Sequence, residues 1–231
     1  TGTGGGGGGG GGGASATTTW VLGAESAAEC AAWQAGFDAM SPGGSWKRCN
    51  DKRDDPCSCN EQTSQTAEVS VVVCTTDQAT GQLHIKEIWL WSNGLTGTLP
   101  PEFSDLDHLQ LLYLYNNNIG DEGCRTIAPA LRTMPNLKRL YLGDNNIGDE
   151  GLAVLSNVVS AIPLLEWLDL SGNKIGNVGC QCLLELIEND SLQSLTWLTL
   201  KRNPNISSEE LKTKFKRVWR EKGKEPEFLY F

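Results

Sequence analysis

From residue 85 to residue 203 the apolar positions follow one phrase, LxxLxLxxN, five times over. The copies are Ile85, Ile88, Leu90 and Asn93; Leu109, Leu112, Leu114 and Asn117; Leu137, Leu140, Leu142 and Asn145; Leu165, Leu168, Leu170 and Asn173; and Leu195, Leu198, Leu200 and Asn203. The central L-x-L alternates apolar and variable residues, as a short strand with one buried face requires. Between phrases the period lengthens to that of a helix. Cys124, Ile127 and Leu131 fall at i, i+3 and i+7, as do Leu152, Leu155 and Val159, and Cys180, Leu183 and Ile187. Asn-to-Asn spacings of 24, 28, 28 and 30 lie in the solenoid range, so each copy is one unit that buries its apolar face on the next. Past the last phrase, Ser207 or Ser208 caps a final helix with Glu209 and Glu210 in its first turn. Its apolar stripe is Leu211, Phe215 and Val218, and the tail EFLYF adds further cover.

The repeat resembles the leucine-rich repeat over roughly residues 83–210. The resemblance implies an α/β solenoid with a parallel sheet on the concave face and helices on the convex face. It also implies an Asn side chain that hydrogen-bonds backbone in the turn after each strand. Two dialects are visible. LTGTLPPEFSDLDHL, residues 95–109, is similar to the plant-type repeat; the later copies, with their repeated IGDEG, look like the ribonuclease-inhibitor type. Residues 25–82 look like the N-terminal cap of plant-type proteins, with ESAAECAAWQAGFDAM, then SW, PCSC and VVVC. The chain thus divides into a Gly-rich leader (1–19), a Cys-rich cap (20–82), five repeats (83–206), and a closing helix and tail (207–231). Ten consecutive Gly residues in the leader bury nothing, and no Gly-Lys-Ser/Thr follows to make a phosphate loop.

Five of the eight cysteines crowd residues 30–74: Cys30, Cys49, Cys57, Cys59 and Cys74. Clustered Cys in a weakly apolar stretch points to disulfides and an extracytosolic setting, secreted or within an organelle lumen. Zinc is the lesser reading, because C-x7-C-x-C-x14-C lacks paired C-x2-C knuckles. The resemblance pairs Cys57 or Cys59 with Cys74, and Cys30 with Cys49. Cys124 and Cys180 share the register of Leu152, as buried thiols would; Cys182 falls off it. The chain begins at Thr1 without a signal-peptide pattern, as a processed or trimmed product would. The sequons at Asn189 and Asn205 permit glycosylation on a secretory route.

With the leucines inward, the fifth and seventh positions of each phrase face out of the concave sheet. The fifth reads Trp89, Tyr113, Tyr141, Asp169, Thr199, and the seventh Trp91, Tyr115, Gly143, Ser171, Lys201. The third position adds Trp167 and Trp197. Seven of twelve Trp and Tyr residues thus stand where core packing does not demand them, which points to a binding surface. The competing reading is that cross-strand aromatic pairs simply stabilise the sheet. Along the solenoid the face runs from aromatic, through acidic and small, to basic at 201–202, a polarised surface.

Net charge is −9, yet residues 201–231 hold nine Lys or Arg against five Asp or Glu, so an acidic body ends in a basic segment. An acidic body argues against nucleic acid as the main partner. No apolar run approaches the roughly 18–20 residues of a membrane span. His84 and His108 have no nucleophile at a matching motif, and GDEG lacks a calcium-loop ligand series; its acids suit helix N-termini. These patterns predict a protein without enzymatic activity, cofactor or metal. The leading function is binding of a protein partner, as a scaffold or accessory subunit of a larger complex. The alternative is an extracellular carbohydrate-binding or receptor-like recognition module.

Overall fold

The computed structural model describes residues 60–61, 69–76, 83–92 and 106–231. The leader, most of the cap with Cys30, Cys49, Cys57 and Cys59, Asn93, and the plant-type stretch up to residue 105 lie outside the described residues. Eight strands form one sheet in chain order: β1 (Asn60–Glu61), β2 (Val69–Thr76), β3 (Leu83–Trp91), β4 (Leu111–Tyr113), β5 (Arg139–Tyr141), β6 (Trp167–Asp169), β7 (Trp197–Thr199) and β8 (Leu229–Tyr230). From β3 to β8 all neighbours are parallel. The sheet is not wholly parallel, however: β1 pairs with β2 and β2 with β3 antiparallel. A parallel neighbour needs a crossover, whereas the short link before β3 permits only a return strand.

Helices α1 (Gly120–Arg132), α2 (Asp149–Val159) and α3 (Asn177–Glu188) cross from each strand to the next, and α4 (Glu209–Glu221) precedes β8. Register follows the phrase: Ile88, Leu112, Leu140, Leu168 and Leu198 are successive partners across the sheet, and all are buried. The helical trios are buried opposite them. Burial holds the Cys124 and Cys180 thiols up at about 12, with Asp121 and Asp149 adding to the effect. They pack as small apolar groups. Cys182 is half-exposed.

Asn at the phrase end fills a buried backbone gap. Asn145 is fully buried; its amide donates to the carbonyls of Leu114 (2.8 Å) and Gly143 (3.0 Å). The Asn173 carboxamide oxygen accepts from the N–H groups of Asn145 (2.9 Å) and Ile147 (3.0 Å), one repeat back. Asn203 does the same for Ile175 at 3.0 Å. Only a side chain that both donates and accepts serves every one of these groups. Just before each Asn the backbone turns left-handed, at Ser92, Asn116, Asp144, Gly172 and Arg202, with φ between 52° and 65°. This turn ends the strand and swings the chain toward the convex layer.

The GDEG motif has a cross-repeat role that helix-dipole reasoning does not reveal. Asp121 Oδ1 accepts from the N–H of Gly148 (2.6 Å) and Gly151 (2.9 Å), at the N-terminus of α2. Asp149 repeats this on Gly176 (2.6 Å) and Gly179 (2.9 Å) at α3. Asn177 accepts from Ser207 and Ser208 ahead of α4, both at 3.1 Å. Each of α2, α3 and α4 is therefore capped by the helix before it, and the glycines make room: a Cβ on Gly151 would stand 2.5 Å from Asp121 Oδ1. Ser208 is the residue that caps α4 from within, accepting from Leu211 N–H at 3.2 Å.

The closing stripe is larger than Leu211, Phe215 and Val218. Trp219 is fully buried beside Phe215, while Leu211 is half-buried. The tail does more than cover: Leu229 and Tyr230 pair with Leu198 and Thr199 as a sixth parallel strand.

Candidate functional site

Strand spacing decides the geometry of the concave face. Parallel neighbours lie about 4.8 Å apart, close to the distance at which aromatic rings stack. Trp89 stacks on Tyr113 with centroids 4.9 Å apart, and Tyr113 meets Tyr141 at 4.7 Å. In the next repeat the fifth position is Asp169, and the ladder steps sideways to the third position. Tyr141 approaches Trp167 at 6.1 Å, and Trp167 stacks on Trp197 at 3.9 Å. Trp91 and Tyr115 join edge-on at 6.2 Å, and Tyr115 touches Tyr113 at 6.1 Å. All seven sequence-predicted aromatics thus form one connected ladder. Sequence reasoning missed an eighth ring: Tyr230 on β8 lies 5.7 Å from Trp197. Its signal was faint, because EFLYF carries no repeat phrase.

The rings present their edges to the concave space. Both faces of Tyr113 are covered by its neighbours, and Trp167 and Trp197 cover one another. Burial raises the phenol pKa of Tyr113 and Tyr141, and the nearby Asp169 charge adds to it. Trp89 Nε1 donates to Glu87 at 2.9 Å, which fixes the first ring.

The expected separation of acidic and basic zones is corrected by a cross-repeat strap. Arg202 Nη2 reaches Asp144 at 2.9 Å and the Tyr115 hydroxyl at 2.7 Å, and that hydroxyl donates to Asp144. Arg202 and Asp144 stand two repeats apart, and Gly172 lies between them. Its left-handed φ suits glycine, and any Cβ there would collide with Asp144 Oδ1. Gly143 has the same role for Tyr115, whose ring a Cβ would meet at 2.7 Å. A pairing 58 residues long leaves no local trace in the chain.

Inside the gap left by the sideways step lies Asp169. Its carboxylate accepts from Ser171 N–H at 2.8 Å, and burial raises its pKa above the ordinary value. No cation pairs with it among the described residues. Thr199, next in the column, is buried, and Lys201 lies over the Tyr230 ring at 4.3 Å.

Elsewhere the chemistry is spare. His84 and His108 meet ring to ring at 3.8 Å, away from the ladder, and His108 lies 3.6 Å from Asp107. Among the described residues no three His, Cys, Asp or Glu side chains gather as a metal would need, and no helix is long and apolar enough to cross a membrane. Cys74, on β2, packs half-buried against the core.

Comparison with known proteins agrees with this architecture. A leucine-rich repeat family model matches residues 107–128, 133–156 and 163–184, and a second matches residues 84–106. The chain therefore carries leucine-rich repeats, arranged as an α/β solenoid. No curated protein matches. Among solved structures, the chain is similar to the ectodomain of the receptor kinase SOBIR1 from Arabidopsis thaliana. That match has 18% identity and a TM-score of 0.41, over 76% of this chain and 79% of that one. The PEPR1–AtPEP1 structure matches at 17% identity and TM-score 0.38, over 74% of this chain and 21% of that one. The ectodomain of GASSHO1/SCHENGEN3 from Arabidopsis thaliana, in complex with Casparian strip integrity factor 2, matches at 20% identity and TM-score 0.40. The match covers 77% of this chain and 26% of that one.

Proposed function

We propose that this chain is a non-catalytic binding scaffold that docks a protein partner on its concave aromatic face, as an accessory subunit of a larger complex. Trp89, Trp91, Tyr113, Tyr115, Tyr141, Trp167 and Trp197 form the docking surface. The observation that supports it is the continuous ladder of rings on the side of the sheet that the leucine core does not use. A rigid backbone and mutual stacking hold these side chains in place, so little rotamer entropy is lost on docking. A carbohydrate partner is the second reading, but sugars stack on open ring faces and most faces here are covered by neighbouring rings. Ring edges with phenol hydroxyls suit the amides and aromatic side chains of a protein. We read residues 20–82 as a Cys-rich cap whose thiols form disulfides, in a chain located outside the cytosol; Cys74, half-buried on β2, fits that reading.

A pull-down from a cognate lysate, run beside a glycan array, tests the choice of partner. For the protein recovered, Trp89→Ala or Tyr113→Ala lowers affinity by at least about 2 kcal/mol, as hot-spot residues do. Stability falls by about 0.5–1.5 kcal/mol for each ring pair lost. Trp89→Ala loses one pair, so its stability falls by less than its affinity; Tyr113→Ala loses more stability, because its ring also meets Tyr115 and Tyr141. Leu114→Ala is the opposite case: its buried cavity costs about 2–5 kcal/mol of stability. Aromatic variants that lose stability while binding unchanged would make the ladder a sheet-packing device alone.

A further inference from the structure

The ladder has one interruption, and its lining is specific. In the fifth-position column Asp169 and Thr199 stand between Tyr141 and Tyr230, while Trp167 and Trp197 border the gap on the third-position side. Three strand steps separate the two tyrosines, about 14 Å. One face of Tyr141 is covered by Tyr113; on the next strand its neighbours are Asp169, its register partner, and Trp167, whose ring centroid lies 6.1 Å away. At the floor is a half-buried carboxylate that bonds Ser171 and has no cation of its own among the described residues. The charges around it are engaged elsewhere or stand apart. Arg202 is bound to Asp144 and Tyr115, Lys201 sits on Tyr230, and Arg139 flanks Tyr141 on the third-position side.

Resting on the reading of the concave face as a protein-docking surface, we propose that this gap receives an arginine side chain from a basic segment of the partner. A guanidinium is planar, stacks on an aromatic face and pairs with a carboxylate through its N–H fork. The gap offers both on adjacent strands: the Tyr141 ring and the Asp169 carboxylate. Lys201 over Tyr230 shows the same cation-on-ring arrangement at the far side of the gap, made by the chain itself. An unpaired, partly desolvated carboxylate is costly unless a cation meets it, and a docked arginine supplies that cation.

The test uses the full chain and three labelled probes, read by fluorescence anisotropy at low ionic strength. These are a Gly-Ser octapeptide bearing two arginines, the same peptide bearing two glutamates, and a cello-oligosaccharide. The arginine peptide binds, and Asp169→Asn weakens it roughly tenfold, as loss of a half-buried charge partner does. Tyr141→Leu weakens it as well. Glu150→Gln, the same change in charge on the exposed convex side, leaves binding as in the parent. Equal binding of the arginine and glutamate peptides, preference for the oligosaccharide, or an unaltered arginine affinity in Asp169→Asn overturns the proposal. If the arginine assignment fails while Trp89→Ala still weakens the recovered protein, the docking surface stands and only its arginine pocket is lost.

Discussion

Asp169 is a carboxylate placed where a repeat of this kind had room for a ring. Burial keeps its pKa above the ordinary 3.8, against the pull of Ser171. A folded-state pKa above the unfolded one means that the folded chain binds more protons between the two values. Stability is therefore greatest below the unfolded pKa and falls as pH rises through the folded one. Asp169→Asn removes this penalty. Its melting temperature should exceed that of the parent near about pH 7 and match it near about pH 3, where both states are protonated. A variant less stable than the parent at both values would show that the bond to Ser171 outweighs the cost of burying the charge. The same residue thus lowers stability and is the candidate anchor for a cation, a compromise common at binding sites.

At the scale of elements, the convex helices depend on one another for their ends. Neither α2 nor α3 has a side-chain cap of its own; Asp121 and Asp149 supply those caps from the preceding repeat. Asp149→Ala should cost about 0.5–2 kcal/mol, measured by denaturant unfolding, while Asp149→Asn, which keeps an acceptor, retains most of the stability. Equal losses in both variants would mean that the negative charge at the helix dipole matters more than the acceptor. The repeat phrase, the strand faces and the three helical trios could be read in the sequence because each recurs with a fixed period. The caps, the Arg202 strap and the sideways step of the ladder could not, because each joins residues of different repeats, 27 or 30 positions apart for the caps and 58 or 87 for the strap. Trp219 belongs to the periodic class as well: it stands at i+4 from Phe215 on α4, on the stripe that Leu211, Phe215 and Val218 define.

Over the whole molecule, stability is a matter of closing both ends of the stack, since an open end exposes core and strand edge. The C-terminal end is closed by α4, by β8, and by Lys224. Its ammonium donates to the carbonyls of Leu192 (3.0 Å), Gln193 (3.0 Å) and Leu195 (2.5 Å) and lies 5.4 Å from the Trp219 ring centroid. The N-terminal end is continued by the antiparallel strands β1 and β2, with Cys74 on the latter. If the cap is oxidised as proposed, intact mass with and without reductant should differ by at least one bridge, and reduction should lower the melting temperature. Alkylation of every thiol in residues 30–74 without reductant would overturn both the oxidised cap and the location outside the cytosol.

The cross-repeat caps also make the array extensible. The unit that begins at Gly148 carries both a plug, Asp149, which enters the end of α3, and a socket, the amides of Gly148 and Gly151, which take Asp121 from the unit before. Duplicating residues 120–147 in place would join plug to socket at both new seams and add one rung and one more tyrosine to the concave rail. Such a chain is a ruler with interchangeable segments. The span of partner it can measure is then set by copy number, with no joint redesigned.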